Sequence, residues 1–357
     1  MINSNIIKHL YDNESEFIYN NRVKYSQTGD RHYIRDIVDK TVRSHSEWTS
    51  FCQFLKEKSS CGDMVIFGAG IWGYILYSET ADLINWKCAV DSNPERKIKG
   101  MTCIGFDEFI ENYRGEIVAI SSYKNYYEML QQLQKCGVTE ENIINAGKVI
   151  YKLTEYAIYF DLPAMALQRP KEVFVDAGAF DGLTTRRFFE WCSNKACAYC
   201  FEPDPQNIER INKNLSGRTD YRVIHKVLWS KSCTVPMEFR GSFATSVSLG
   251  GASNKDTQMI EATSLDAFLM EESERDVTFI KMDIEGAEKE ALLGAKDTIT
   301  RLHPRLAVSI YHRLEDIYEL PELILSFYSD YKLYLRHYSF SDYDTVLYAI
   351  SQGDRLN

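Results

Sequence analysis

The chain has 357 residues, of which 45% are hydrophobic and 26% charged, with a formal net charge of −10. That length suits two domains with sizeable cores. The negative balance disfavours DNA, RNA or an anionic membrane as partner, and no run of 18 apolar residues offers a transmembrane helix.

Residues 1–60 form a polar, aromatic stretch with Phe17, Tyr19, Trp48, Phe51, Phe54 and Leu55. It predicts a helical amino-terminal extension packing on the domain after it, clearest over residues 47–58, and no chemistry is read there. The first ten residues lack the uninterrupted apolar core of a leader. Nine cysteines without framework spacing point to reduced thiols and a cytoplasmic protein. Cys197 and Cys200 form a C-x-x-C near Cys192, but no second pair completes a zinc site, so they read as buried structural thiols.

Residues 61–150 read as a small Rossmann-like domain. An apolar run at 64–67 leads into Gly68, Gly70 and Gly73, a G-x-G-x-x-G opening a helix, and a second run ends at Asp91. Strand, glycine turn, helix and acid at this spacing are the dinucleotide fingerprint: the glycines admit a phosphate to the helix N-terminus, and the acid meets ribose hydroxyls. No acid stands among these glycines, so the turn can accept a phosphate. A strand at 117–120, a helix near 123–135 and a run at 142–145 complete the unit. With Val90, Asp91, Ser92, Asn93 and Pro94 it resembles the small Rossmann-like domains of sugar-modifying acetyltransferases and of some methyltransferases. Two readings stay open, a site for a nucleotide or nucleotide-linked sugar and a purely structural unit. Residues 151–170, with Pro163 and Pro170, read as a connecting helix and linker.

From 171 to 357, strands alternate with helices, which predicts a mostly parallel, helix-covered sheet. The central stretch is 173–188. Its apolar run ends at Asp176, a turn with Gly178 and Gly182 comes next, and a helix begins. Asp176 and Asp181 flank these glycines. Two carboxylates there repel a pyrophosphate and suit a ligand with an amino group and a sulfonium, S-adenosylmethionine. Twenty residues beyond Gly182 the next run ends at Glu202, the distance at which a strand-tip acid holds ribose hydroxyls.

Residues 205–215 predict a helix, 221–228 the third strand and 234–239 a hairpin strand. The Ser- and Gly-rich residues 241–251, with Thr245 and Ser246, predict a mobile loop facing a pocket. Strand four, at 277–282, runs into Asp283, Glu285 and Glu288, and strand five, at 305–310, ends at Tyr311 and His312. A helix near 320–328 and strands at 331–337 and 345–350 close the chain. The predicted fold is α/β with two Rossmann-like units. The carboxy-terminal one is a seven-stranded class I methyltransferase sheet whose last strand is antiparallel.

The run from Val175 through Gly182, the Phe201–Pro205 segment and the block from Lys281 to Glu288 occur in order. Over about 174–350 the chain thereby resembles the FkbM family of S-adenosylmethionine-dependent methyltransferases. The resemblance implies an O-methyltransferase acting on a hydroxyl of a sugar, a glycan precursor or a related metabolite. Members often carry Gly-Ala-Asn where this chain has Gly178, Ala179 and Phe180, and Phe180 would crowd or cover the cofactor.

Methyl transfer is an in-line displacement that needs alignment, and a hydroxyl acceptor also needs a base. Candidate bases are Asp283, Glu285 and His312; the cofactor set is Asp176, Gly178, Asp181, Gly182, Glu202 and Asp283. Plainer roles stay open, with Asp283 positioning a ligand, Glu285 and Glu288 favouring a helix start, and His312 structural. Mg2+ would fit the Asp283–Glu285 pair but is not required, and no metal site is assigned. Two other functions remain, a nicotinamide-dependent oxidoreductase led by the first fingerprint and a nucleotide-sensing protein with a non-catalytic methyltransferase fold.

Overall fold

The computed structural model describes residues 3–93, 95–156, 158–162, 165, 170–239, 245–247, 257–273 and 275–351. The chain forms two compact units, one of Met1–Ile37, Tyr159–His337 and Asp342–Asn357, the other of Val38–Ile158 and Tyr338–Ser341. The segment expected as one extension over 1–60 is thus divided between them. Among the described residues no helix is long and apolar enough to cross a membrane.

In the smaller unit, β1 (Met64–Phe67), β2 (Trp86–Asp91), β3 (Cys103–Gly105), β4 (Ile117–Ile120) and β5 (Ile143–Asn145) form a parallel sheet in the order β3-β2-β1-β4-β5. Strands β1 and β4 are buried throughout, as unbroken apolar runs require when both faces are covered. Met64 and Ile66 meet Trp48, Phe51 and Leu55 of the Ser46–Ser59 helix, while Val65 and Phe67 meet Phe109 and Leu133. Gly73 is obligatory, because a Cβ there would lie 1.9 Å from the Gly68 carbonyl oxygen.

The larger unit is built on β6 (Glu172–Ala177), β7 (Ala196–Phe201), β8 (Tyr221–Ile224), β13 (Phe279–Met282), β14 (Arg305–Ser309), β15 (Tyr331–His337) and β16 (Thr345–Ser351). They run in the order β15-β16-β14-β13-β6-β7-β8, and β16 is antiparallel to both its neighbours. This is the class I methyltransferase arrangement. Between β8 and β13 the chain adds a four-stranded sheet, β11-β10-β12-β9, from β9 (Val227–Leu228), β10 (Cys233–Phe239), β11 (Thr245–Val247) and β12 (Thr257–Thr263).

The strand predicted over 221–228 is therefore two. The Lys226 N–H turns back to the Ile224 carbonyl at 2.8 Å, a three-residue turn that sends Val227 and Leu228 into the second sheet. The loop predicted at 241–251 lies outside the described residues except for its part in β11.

The amino-terminal residues complete this unit. The Tyr11 N–H donates to the Leu333 carbonyl at 2.9 Å and the Leu333 N–H to the His9 carbonyl at 2.8 Å. The Asn13–Thr28 helix then buries Ile18, Tyr19 and Val23, and Asp12 pairs with Arg336 at 2.6 Å.

Candidate active site

At the carboxyl ends of β6, β7 and β13 the larger unit opens a cavity of about 300 Å³. Its place is the switch point of the sheet, where β6 has β7 on one side and β13 on the other. Gly178, Asp181, Glu202, Asp283 and Glu285 line it, as the sequence predicts. Lys281, Tyr159 and Phe180 join them.

The turn after β6 is shaped by close approach. Gly178 has φ +75°, and a Cβ there would lie 2.0 Å from the Asp283 carbonyl oxygen. Gly182, also at φ +75°, caps the Leu183–Trp191 helix and packs on Ile211 without lining the cavity. Tyr159 (φ 75°), Phe180 (φ 50°) and Glu285 (φ 55°) adopt positive φ with full side chains, and all three line the cavity, which concentrates backbone strain there.

Glu202 is held by three donors: the Phe180 N–H at 2.8 Å, the Asp204 N–H at 3.0 Å and Asn207 Nδ2 at 3.2 Å. Burial pushes its carboxyl pKa up in spite of these bonds.

Asp176 departs from expectation. Strand β6 runs one residue further, to Ala177, so Asp176 lies within the strand rather than at its tip. It is fully buried, accepts from the Thr185 hydroxyl at 2.7 Å, and pairs with Lys281 Nζ at 3.1 Å. Lys281 also donates to the carbonyls of Ala177 (3.1 Å) and Gly178 (2.6 Å). Burial alone would lower the lysine's pKa, but Asp176 and Asp283 raise it above the ordinary value. Asp176 therefore secures the turn through Lys281.

The three candidate bases separate by environment. Asp283 accepts from the hydroxyls of Tyr311 (Oδ1, 3.0 Å) and Tyr159 (Oδ2, 3.1 Å). Burial would raise its pKa, but the charges of Lys281 and His312 and the hydroxyls of Ser309 and Tyr311 hold it below the usual range. His312 places Nδ1 2.9 Å from Glu288, and Nε2 3.6 Å from Asp283 and 3.7 Å from Glu285. Burial opposes its charge, yet these carboxylates lift its pKa to about 9. At neutral pH it is an imidazolium with no lone pair to take a proton, and it does not line the main cavity. Glu285 does line it with a side chain 40% exposed, and burial, reinforced by Asp283 and Glu288, raises its pKa.

Asp283, Glu288 and His312 bring ligand-type atoms within 4.8 Å of one another among the described residues. Glu285, half of the pair expected for Mg2+, is outside that cluster.

In the smaller unit the glycines stand as the fingerprint requires, with Gly70 capping the Ile71–Thr80 helix. Asp91 is buried and ties its own loop to the glycine turn, accepting from the Asn93 N–H (2.9 Å) and the Ala69 N–H (2.8 Å).

The sequence reading assigns no site role to Lys281, Tyr159 or Tyr311. Lys281 has a signal, a single charge inside the apolar run Phe279–Met282. Tyr159 has none, coming from the segment read as linker.

Residues 176–341 match the sequence model of the methyltransferase FkbM domain. The chain is 26% identical over 152 residues to the 2-O-methyltransferase NoeI of Sinorhizobium fredii, a match spanning 38% of this chain and 62% of that protein. Among solved structures it is similar to methyltransferase FkbM from Methylobacillus flagellatus, at 20% identity and a TM-score of 0.43, over 83% of this chain and 92% of that one. It is also similar to Aeropyrum pernix fibrillarin with bound S-adenosylmethionine, at 11% identity and a TM-score of 0.35, over 53% and 69% of the two chains.

Proposed function

We propose that the protein transfers the methyl group of S-adenosylmethionine to a hydroxyl of a sugar, a glycan precursor or a related metabolite, with Glu285 as general base. The observation that carries this reading is that Glu202 and Glu285, from opposite sides of the switch point, line one cavity. Glu202, already fixed by three donors, presents acceptor oxygens to ribose hydroxyls. Asp181 lies where an amino group and a sulfonium are favoured. Gly178 lets the ligand approach the backbone, and Lys281 holds that backbone still.

In the transfer, an acceptor oxygen attacks the methyl carbon, the carbon–sulfur bond breaks, and its electron pair stays on sulfur as a neutral thioether. The acceptor proton passes to Glu285. Its raised pKa makes it a better base than Asp283, whose oxygens are engaged by Tyr159 and Tyr311. Alignment supplies most of the acceleration, and the base adds about 10²–10⁴-fold. No metal is needed for this displacement, so chelation with EDTA should leave the rate unchanged.

Calorimetric titration with S-adenosylmethionine of the intact chain and of Glu202→Ala tests the cofactor assignment. Micromolar binding that weakens at least tenfold in the variant supports it. No binding, or binding indifferent to Glu202, sinks it, and parallel titrations with NADH and UDP-sugars would then carry the function to the smaller unit.

A further inference from the structure

Beside the reactive cluster, in the same unit, lies a second cavity of about 90 Å³. Its walls include Arg22 from the Asn13–Thr28 helix, Tyr311, His312 and Arg313 after β14, and Asp342 before β16. The proposed transfer makes no use of Arg22.

Arg22 is 5% exposed. Its Nη2 donates to the Asp342 carbonyl at 2.5 Å and to the Thr345 hydroxyl, both neutral oxygens. Its Nε is buried without any partner. Among the described residues it forms no ion pair, and the Asp342 carboxylate is instead engaged by Arg31 at 3.0 Å and by the Tyr25 hydroxyl at 3.3 Å. Burial draws the guanidinium's pKa down to about 10, and the more distant charges of Asp342 and Asp344 do not offset it. A buried guanidinium served only by neutral oxygens is costly, and an anion beside it would offset that cost.

We propose that this smaller cavity is an acceptor subsite for an anionic group, a carboxylate or a phosphate, carried by the molecule that is methylated. The proposal rests on the methyl-transfer reading and narrows its substrate class to sugar acids or sugar phosphates. A planar guanidinium at the cavity wall suits both anions. The volume is about three times the share of one water molecule in the liquid, enough for such a group. Tyr311 joins the two sites. It lines the smaller cavity, while its hydroxyl donates to Asp283, which lines the larger one. The anion is thereby one side chain away from the centre where the hydroxyl must react.

The test is calorimetric titration of the full chain, saturated with S-adenosylhomocysteine, with glucose, glucuronate and glucose 6-phosphate. Glucuronate or glucose 6-phosphate should bind at least tenfold more tightly than glucose, and the stronger of the two identifies the anion. Arg22→Met should erase that advantage and Arg22→Lys restore part of it. Should Arg22→Met not fold, Arg313→Gln, at the cavity wall, should reduce the preference severalfold. Equal affinity for all three sugars, or no sugar binding by protein that holds S-adenosylhomocysteine, overturns the subsite. Failure to bind S-adenosylhomocysteine overturns the methyl-transfer reading instead, and the sugar comparison without it still decides the subsite.

Discussion

His312, 7% exposed, faces Asp283, Glu285 and Glu288, with Asp316 also acting on it electrostatically. A histidine pKa of about 9 in the folded chain, against 6.5 unfolded, means the folded state binds the proton more tightly. That stabilisation is fully present below pH 6.5 and is lost as the pH rises through 9. Asp316, raised to about 7 mainly by burial and then by Glu288, acts in the same direction at lower pH. Thermal melts should therefore fall steadily between pH 6.5 and 9.5, and His312→Gln should flatten that slope; an equally steep variant would refute the assignment. At neutral pH, Glu285→Gln should lower kcat by about 10²–10⁴ while S-adenosylmethionine affinity holds, because an amide accepts no proton. A normal rate would move the base elsewhere. Asp181, Glu202, Asp283 and Glu285, singled out by their spacing along the chain, line one cavity. Spacing could not show that Asp176 points beneath the turn, since one extra residue of strand decides that. Nor does sequence disclose that His312 is surrounded by acids, two of them from its neighbouring element.

At the scale of elements, the strands were legible where apolar runs are unbroken, as in Met64–Phe67 and Ile117–Ile120. The third strand of the larger sheet was not. Residues 221–228 look continuous, and only the hydrogen bonding at Lys226 shows the chain changing sheets. The pairing of β6 with β13 carries a buried ion pair across adjacent strands, since Asp176 and Lys281 are direct register partners. Removing one partner leaves the other charge uncompensated. Lys281→Met should destabilise the protein by ~3–5 kcal/mol, measured by urea denaturation, whereas Asp176→Asn combined with Lys281→Met should recover much of the loss. If the double variant is as unstable as the sum of the single ones, the two side chains are not coupled. The fingerprint assigns Asp91 to a ribose; in the fold its carboxylate accepts one backbone N–H from its own turn, at Asn93, and one from the glycine turn, at Ala69, a bond across elements that spacing alone does not disclose.

At the scale of the whole molecule, the chain order conceals which residues build the larger unit. The Asn13–Thr28 helix buries Ser15, Asn21 and Arg22 beside Ile18 and Tyr19, so its buried face carries no clean apolar stripe to announce it. Its role is set by the sheet it serves. Strand β15 stands at the end of the order, and an edge strand with free backbone groups and apolar Leu333 and Leu335 invites aggregation. Residues 9–11 pair with that edge at Leu333, and Ser15 Oγ accepts the Leu335 N–H at 3.0 Å. Asp12 then binds Arg336 from the same strand. Deleting residues 1–37 would strip all of these partners together and expose the face that packs on Ile18, Tyr19 and Val23. The truncated chain should therefore aggregate or lose its cooperative melt, although every residue of the segment 176–341 that matches the FkbM domain model is retained. Size-exclusion chromatography and circular dichroism of the two chains decide the point. A monodisperse 38–357 chain melting like the full one would show that the edge of β15 is protected by other means. Aggregation would show that the folded unit begins far upstream of the segment 176–341 that matches the domain model.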